Sequence, residues 1–108
     1  MPTRIKPVSR KLAKARRLYI KLRRAYLAQN PECVVFRNKP ASQIHHRRGR
    51  IGTLLIDQRF WIAVSMEGHE WIHHNPELAR ADGFTCHFGQ WNTAPRDAET
   101  ERLKKLLR

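Results

Sequence analysis

Apolar residues recur at three- and four-residue steps through the first part of the chain. Leu12, Ala15, Tyr19, Leu22 and Tyr26 form one stripe, the spacing that places side chains on a single helix face. Ser9 stands where an N-cap belongs, and Asn30-Pro31 closes the segment, because proline disfavours helical geometry in the residue before it. A helix from Ser9 to Asn30 is predicted. Beyond it the pattern shortens. Cys33 to Phe36 reads as a short strand, followed by a turn around Asn38-Lys39-Pro40 and a second short strand holding Gln43 to His46. Leu54-Leu55-Ile56 is either a helical turn or a buried strand, since periodicity cannot decide over so short a run. Phe60 to Val64 predicts a further strand, and Gly68 marks the turn into a helix carrying His69, Trp71, Ile72 and His73. Asn75-Pro76-Glu77 has the order N-cap, N1 and first-turn acid of another short helix, closed by Gly83. Residues 84–94 read as a loop with Trp91 tucked onto the domain. Pro95 to Leu107 reads as a last helix whose apolar contacts are Leu103, Leu106 and Leu107. The alternation predicts an α+β fold.

Length and charge narrow the picture. A chain of 108 residues predicts one small domain with a modest core. We divide it into a basic arm and helix (1–30), a central core (31–83) and a C-terminal loop and helix (84–108). Lys and Arg number 22 against 9 Asp and Glu, a formal charge of +13. Ten of those basic residues precede position 25, and no acid appears before Glu32. Such an excess speaks of a polyanionic partner. Residues 1–8, with Pro2 and Pro7, read as an irregular basic arm. Along the helix that follows, Arg10, Lys14, Arg17, Lys21 and Arg24 are candidates to lie against phosphates, which would relieve their mutual repulsion. No apolar run approaches the roughly 18 residues of a membrane span, and the N-terminus lacks the apolar segment of a secretory signal. Two separated cysteines, Cys33 and Cys86, make no disulfide framework. The expected setting is the cytoplasm.

The candidate chemistry lies in residues 43–74. His45 and His46 are adjacent, and His69 and His73 stand four apart on a predicted helix, where both imidazoles can face one ion. A third nitrogen from the upstream pair would complete a three-histidine site with open positions, the layout of a catalytic metal centre. His74 and His87 read as ordinary surface residues. Trp61, Trp71 and Trp91 read as core rather than base-stacking groups. Glu67 and Glu70 read as solvent-facing or as partners that orient an imidazole.

Several short motifs stand in register: Asn30-Pro31-Glu32-Cys33, Ile44-His45-His46-Arg47-Arg48-Gly49-Arg50, Phe60-Trp61, and His69-Glu70-Trp71-Ile72-His73 with Asn75-Pro76. In these the chain resembles the HNH endonuclease family, specifically its small phage-type members, over about Asn30 to Gly83. The resemblance implies a ββα-metal fold with a long basic N-terminal helix and short C-terminal helices, cleaving DNA phosphodiester bonds. It further implies His45, His69 and His73 as ligands of one divalent ion, with Mg, Mn, Ni and Zn not distinguished, and His46 as the general base. Arg47, Arg48 and Arg50 then become candidates to grip flanking phosphates. For a phage-encoded chain the setting would be the bacterial host cytoplasm.

Two departures from the family pattern change the expectations. Many members bind a structural zinc through two CxxC pairs, whose positions here are Cys33, Phe36, Ser65 and Gly68. With three of four donors absent, no structural zinc is expected, Phe36 fills the space beside Trp61 and Trp71, and Cys33 becomes a small buried hydrophobe. The family's middle asparagine is also missing, leaving Asp57 or a backbone group to substitute. The preferred reading is therefore a metal-dependent DNA endonuclease. The alternative is a non-catalytic DNA-binding module on the same scaffold, and a third reading, a basic amphipathic helix acting at membranes, rests on residues 9–30 alone. Oligomeric state is left open.

Overall fold

The computed structural model describes residues 9–108; the basic arm expected over 1–8 lies outside them. Helix α1 (Arg10–Gln29) starts where Ser9 Oγ accepts the Leu12 amide at 3.1 Å. Strands β1 (Gln43–His46) and β2 (Trp61–Val64) pair antiparallel, with His45 opposite Ile62 and His46 opposite Trp61. Helix α2 (Met66–His74), helix α3 (Pro76–Ala81) and helix α4 (Ala98–Leu106) follow. The result is a compact α+β domain of four helices and one small two-stranded antiparallel sheet among the described residues. No helix is long and apolar enough to cross a membrane.

Because successive strand residues point to opposite faces, the sheet separates two cores. On one side Ala15, Leu55, Ile56, Leu103 and Leu107 join α1 to α4, with Leu18, Tyr19 and Leu22 packed against them. Tyr26 fastens α1 to the sheet by donating its hydroxyl to the Trp61 carbonyl at 3.1 Å. Leu18, rather than the exposed Leu12, continues the buried stripe. On the other side Cys33, Val64, Ile72 and Ala79 are buried together, with Phe36, Trp71 and Phe84 around them. Trp61 is buried against Tyr19 and Tyr26 instead, so it is no neighbour of Phe36.

Two sequence expectations are corrected and one open alternative is settled. Residues Cys33 to Phe36 do not form a strand. The chain folds back on itself there: Cys33 N–H donates to the Lys39 carbonyl at 2.9 Å and Phe36 N–H to Cys33 Sγ at 3.3 Å. Local turn bonding overrides the β-branched composition. Leu54 and Leu55 belong to a 3-10 turn (Gly52–Leu55), which resolves an ambiguity that periodicity left open. Gly68 does not mark the helix start either, since Ser65 caps α2 through the Gly68 amide at 3.0 Å. Gly68 lies inside the helix, where a Cβ would sit 2.6 Å from Cys33 Sγ, so the packing there requires glycine.

The C-terminal helix is tied to the core by charge. Arg59 donates to Asp57 at 2.7 Å and to Asp97 at 2.8 Å, and Asp97 in turn caps α4 through the Thr100 amide. The Asp57 side chain is 1% exposed, so this bridge satisfies a carboxylate that would otherwise be buried alone.

Candidate metal centre

Strand β1 carries His45 toward α2, where His69 and His73 occupy successive turns of one face. The three rings converge. Centroids lie 5.1 Å apart for His45–His69, 4.7 Å for His69–His73 and 6.1 Å for His45–His73. One nitrogen from each lies within 4.8 Å of the others, so the group could hold a metal ion. His45 is buried, His69 half-buried and His73 exposed, which leaves one side of the cluster open to water.

Two observations fit a cation at this point. The His45 Nε2 atom is buried without any hydrogen-bond partner among the described residues, a costly condition for a polar atom unless something binds it. His69 Nδ1 donates to Gln43 Oε1 at 2.8 Å, which fixes the tautomer and leaves Nε2 with its lone pair. Burial, then the neighbouring His69 and His73, pushes His45 down from 6.5 to about 4. His69 is lowered as well, by burial first and then by His73 and Arg50. Neutral imidazoles are the ligating form.

His46 is not part of this trio. Its ring packs against Tyr19 of α1 at 5.4 Å and Trp61 of β2 at 5.7 Å. Its Nε2 donates to the Leu55 carbonyl at 3.2 Å, so the lone pair resides on Nδ1. Burial lowers this ring to about 4, opposed by the Leu55 carbonyl and reinforced by the charges of Arg50 and His69. The backbone of Leu55, rather than Asp57, thus orients the imidazole, because Asp57 is committed to Arg59.

The predicted phosphate-gripping arginines divide into two kinds. Arg47 is a strut, donating to the carbonyls of Arg59 at 2.6 Å and Gly83 at 3.3 Å. Arg48 is held by the Thr93 carbonyl at 2.6 Å and lies over Phe60. Arg50 is exposed, sits over the Tyr19 ring and pairs with no carboxylate among the described residues. The glycine of this loop serves packing: Gly49 has φ +99°, and a Cβ on it would collide with Asn92 Oδ1. On α1, Arg10, Lys14, Arg17, Lys21 and Arg24 are all exposed, with Lys14 also donating to the Arg108 carbonyl.

Cys33, Phe36, Ser65 and Gly68 do meet. Cys33 Sγ accepts from the Ser65 hydroxyl and the Phe36 amide, both at 3.3 Å, with Gly68 pressed against it. Glu67 and Glu70 are exposed, and Gln43 orients the imidazole in their place. Sequence reasoning missed Gln43 and the exposure of Trp91, and it left open the backbone group that the Leu55 carbonyl supplies. Comparison of the chain with protein-family models, with curated proteins and with solved structures finds no match in any of the three.

Proposed function

We propose that the chain is a metal-dependent endonuclease of the HNH type, in which β1, β2 and α2 form a ββα-metal core that hydrolyses DNA phosphodiester bonds. The convergence of His45, His69 and His73 around a buried, unpartnered Nε2 carries this reading. One divalent ion bound there would supply charge stabilisation to the phosphate and to the departing 3′ oxygen. Three imidazoles favour a late transition metal over Mg²⁺.

In this scheme His46 accepts a proton from the attacking water at Nδ1, while the Leu55 carbonyl holds the ring from the other side. With its pKa pushed down to about 4 by burial, the ring keeps its lone pair free throughout the neutral range but is a weaker base than an unperturbed imidazole. Arg50 binds the phosphate, and the α1 stripe engages the backbone farther along the duplex. Following the resemblance, the products would carry 5′-phosphate ends.

The burial of His46 between Tyr19 and Trp61 favours a second reading, a DNA-binding module that does not cut. Relaxation of a supercoiled plasmid separates the two. The endonuclease reading expects nicking with Mn²⁺, Ni²⁺ or Zn²⁺, abolished by EDTA, and lost in His46→Ala while DNA binding persists. Tight binding with no cutting under any ion would leave only the binding module. Cutting by His46→Ala at the wild-type rate would remove His46 as the base.

A further inference from the structure

Residues 83–96 contain no acidic side chain, and they run beside the end of β1. Cys86 N–H donates to the Arg47 carbonyl at 3.0 Å and Asn92 N–H to the Arg48 carbonyl at 2.9 Å. The loop is therefore stitched to the two residues that follow His46. Phe88 and Trp91 project from it, 85% and 52% exposed. The same loop borders a cleft of about 240 Å³ lined in part by Arg47, Arg48, Phe60, Arg80 and Gln90.

The cations of this cleft are fixed but not neutralised. Arg47 and Arg48 donate to main-chain carbonyls, and Arg80 Nε donates to the Cys86 carbonyl at 3.2 Å. Among the described residues none of the three pairs with a carboxylate. Arg80 also lies 3.8 Å from the centroid of the Phe88 ring, which holds that ring in place. Preset guanidinium groups beside exposed aromatic faces match a phosphate and a flat base at once. In an intact duplex the bases are stacked on one another and present no free face, whereas an unpaired strand presents one at every nucleotide.

We infer that the 84–94 loop and this cleft form a stacking site for unpaired nucleotides, so that the substrate is DNA with a single-stranded segment next to the cut rather than uninterrupted duplex. This rests on the nucleic-acid reading proposed above. The strand runs from Arg50 across the cleft, with its phosphates on Arg48 and Arg80 and successive bases against Phe88 and Trp91.

Fluorescence anisotropy of a labelled oligo(dT) strand and of a blunt duplex of equal length, each with the metal-free full chain, tests it. The double variant Phe88→Ala/Trp91→Ala is expected to lose about tenfold or more in single-strand affinity, with duplex affinity, which phosphate contacts dominate, holding within about twofold. Trp91→Phe keeps a stacking ring and is expected to retain most of the single-strand affinity. Equal losses on both substrates, or no loss on the single strand, would overturn the stacking site and leave the DNA reading standing. Failure of the wild-type chain to bind either substrate would overturn both.

Discussion

Gln43 shows how much of this site depends on a single uncharged side chain. Its amide oxygen accepts a hydrogen bond from His69 Nδ1–H at 2.8 Å, so the ring is turned without need of an ion. Nothing in the sequence marks an amide at a strand start as functional; its role exists only because β1 lies beside α2. Gln43→Ala should weaken divalent-metal affinity by about tenfold or more, read by calorimetric titration, and an unchanged affinity would show that His69 orients itself. Gly49 makes a similar point about the backbone. Its positive φ and the approach of Asn92 leave no room for a methyl group. Gly49→Ala should cost about 2–4 kcal/mol of stability, measured by urea unfolding, and should release the 84–94 loop from Arg48. A neutral result would mean that the loop gives way freely.

At the level of elements, periodicity was a good guide wherever one face of a segment packs and the other meets water. Ser9 caps α1, Gln43 to His46 is β1, and Pro76 opens α3 at its first position, each where the pattern puts it. The His69–His73 pair was legible for the same reason, whereas the spacing left open whether His45 or His46 completes the group, and only the resemblance named His45. The pattern failed where local bonding or a distant partner decides. Phe36 turns its amide onto Cys33 Sγ, which the apolar run 33–36 cannot reveal. Asn75 occupies the N-cap position of α3, yet its side chain donates back to the Trp71 carbonyl at the end of α2. Arg47 looks like a free cation in the sequence and is a strut between two loops. Trp91, expected against the domain, faces solvent because the 84–94 loop is held by main-chain bonds to Arg47 and Arg48 rather than by apolar burial. The attachment of α4 was likewise invisible, because Asp57, Arg59 and Asp97 meet only in three dimensions. Arg59→Ala should destabilise the domain by about 2 kcal/mol, below the full penalty for an orphaned buried charge because Arg59 itself is 40% exposed. Thermal unfolding of the variant checks this, and an unchanged midpoint would demote the bridge to a surface contact.

Across the whole molecule, charge and protonation set two measurable dependences. A net charge of +13 with the α1 stripe exposed predicts that DNA affinity falls on the order of a thousandfold between about 50 and 200 mM salt; a flat response would remove α1 from the interface. Stability depends on pH through the buried rings. His45 and His46 titrate near 4 in the folded chain against 6.5 when unperturbed, so the unfolded chain takes up protons that the folded one refuses. Their contribution is fully present above pH 6.5 and is lost as pH falls toward 4, by about 3 kcal/mol for each ring. Urea unfolding of metal-free protein at neutral and acid pH reads this loss, and equal stability at both would mean the rings are not buried neutral. Calorimetric titration of Zn²⁺ or Ni²⁺ into chelator-stripped protein reads whether His45, His69 and His73 take up an ion. One ion per chain is predicted, with binding abolished in His69→Ala and His73→Ala and retained in His46→Ala. No binding, or binding indifferent to His69 and His73, would rule out the three-histidine centre.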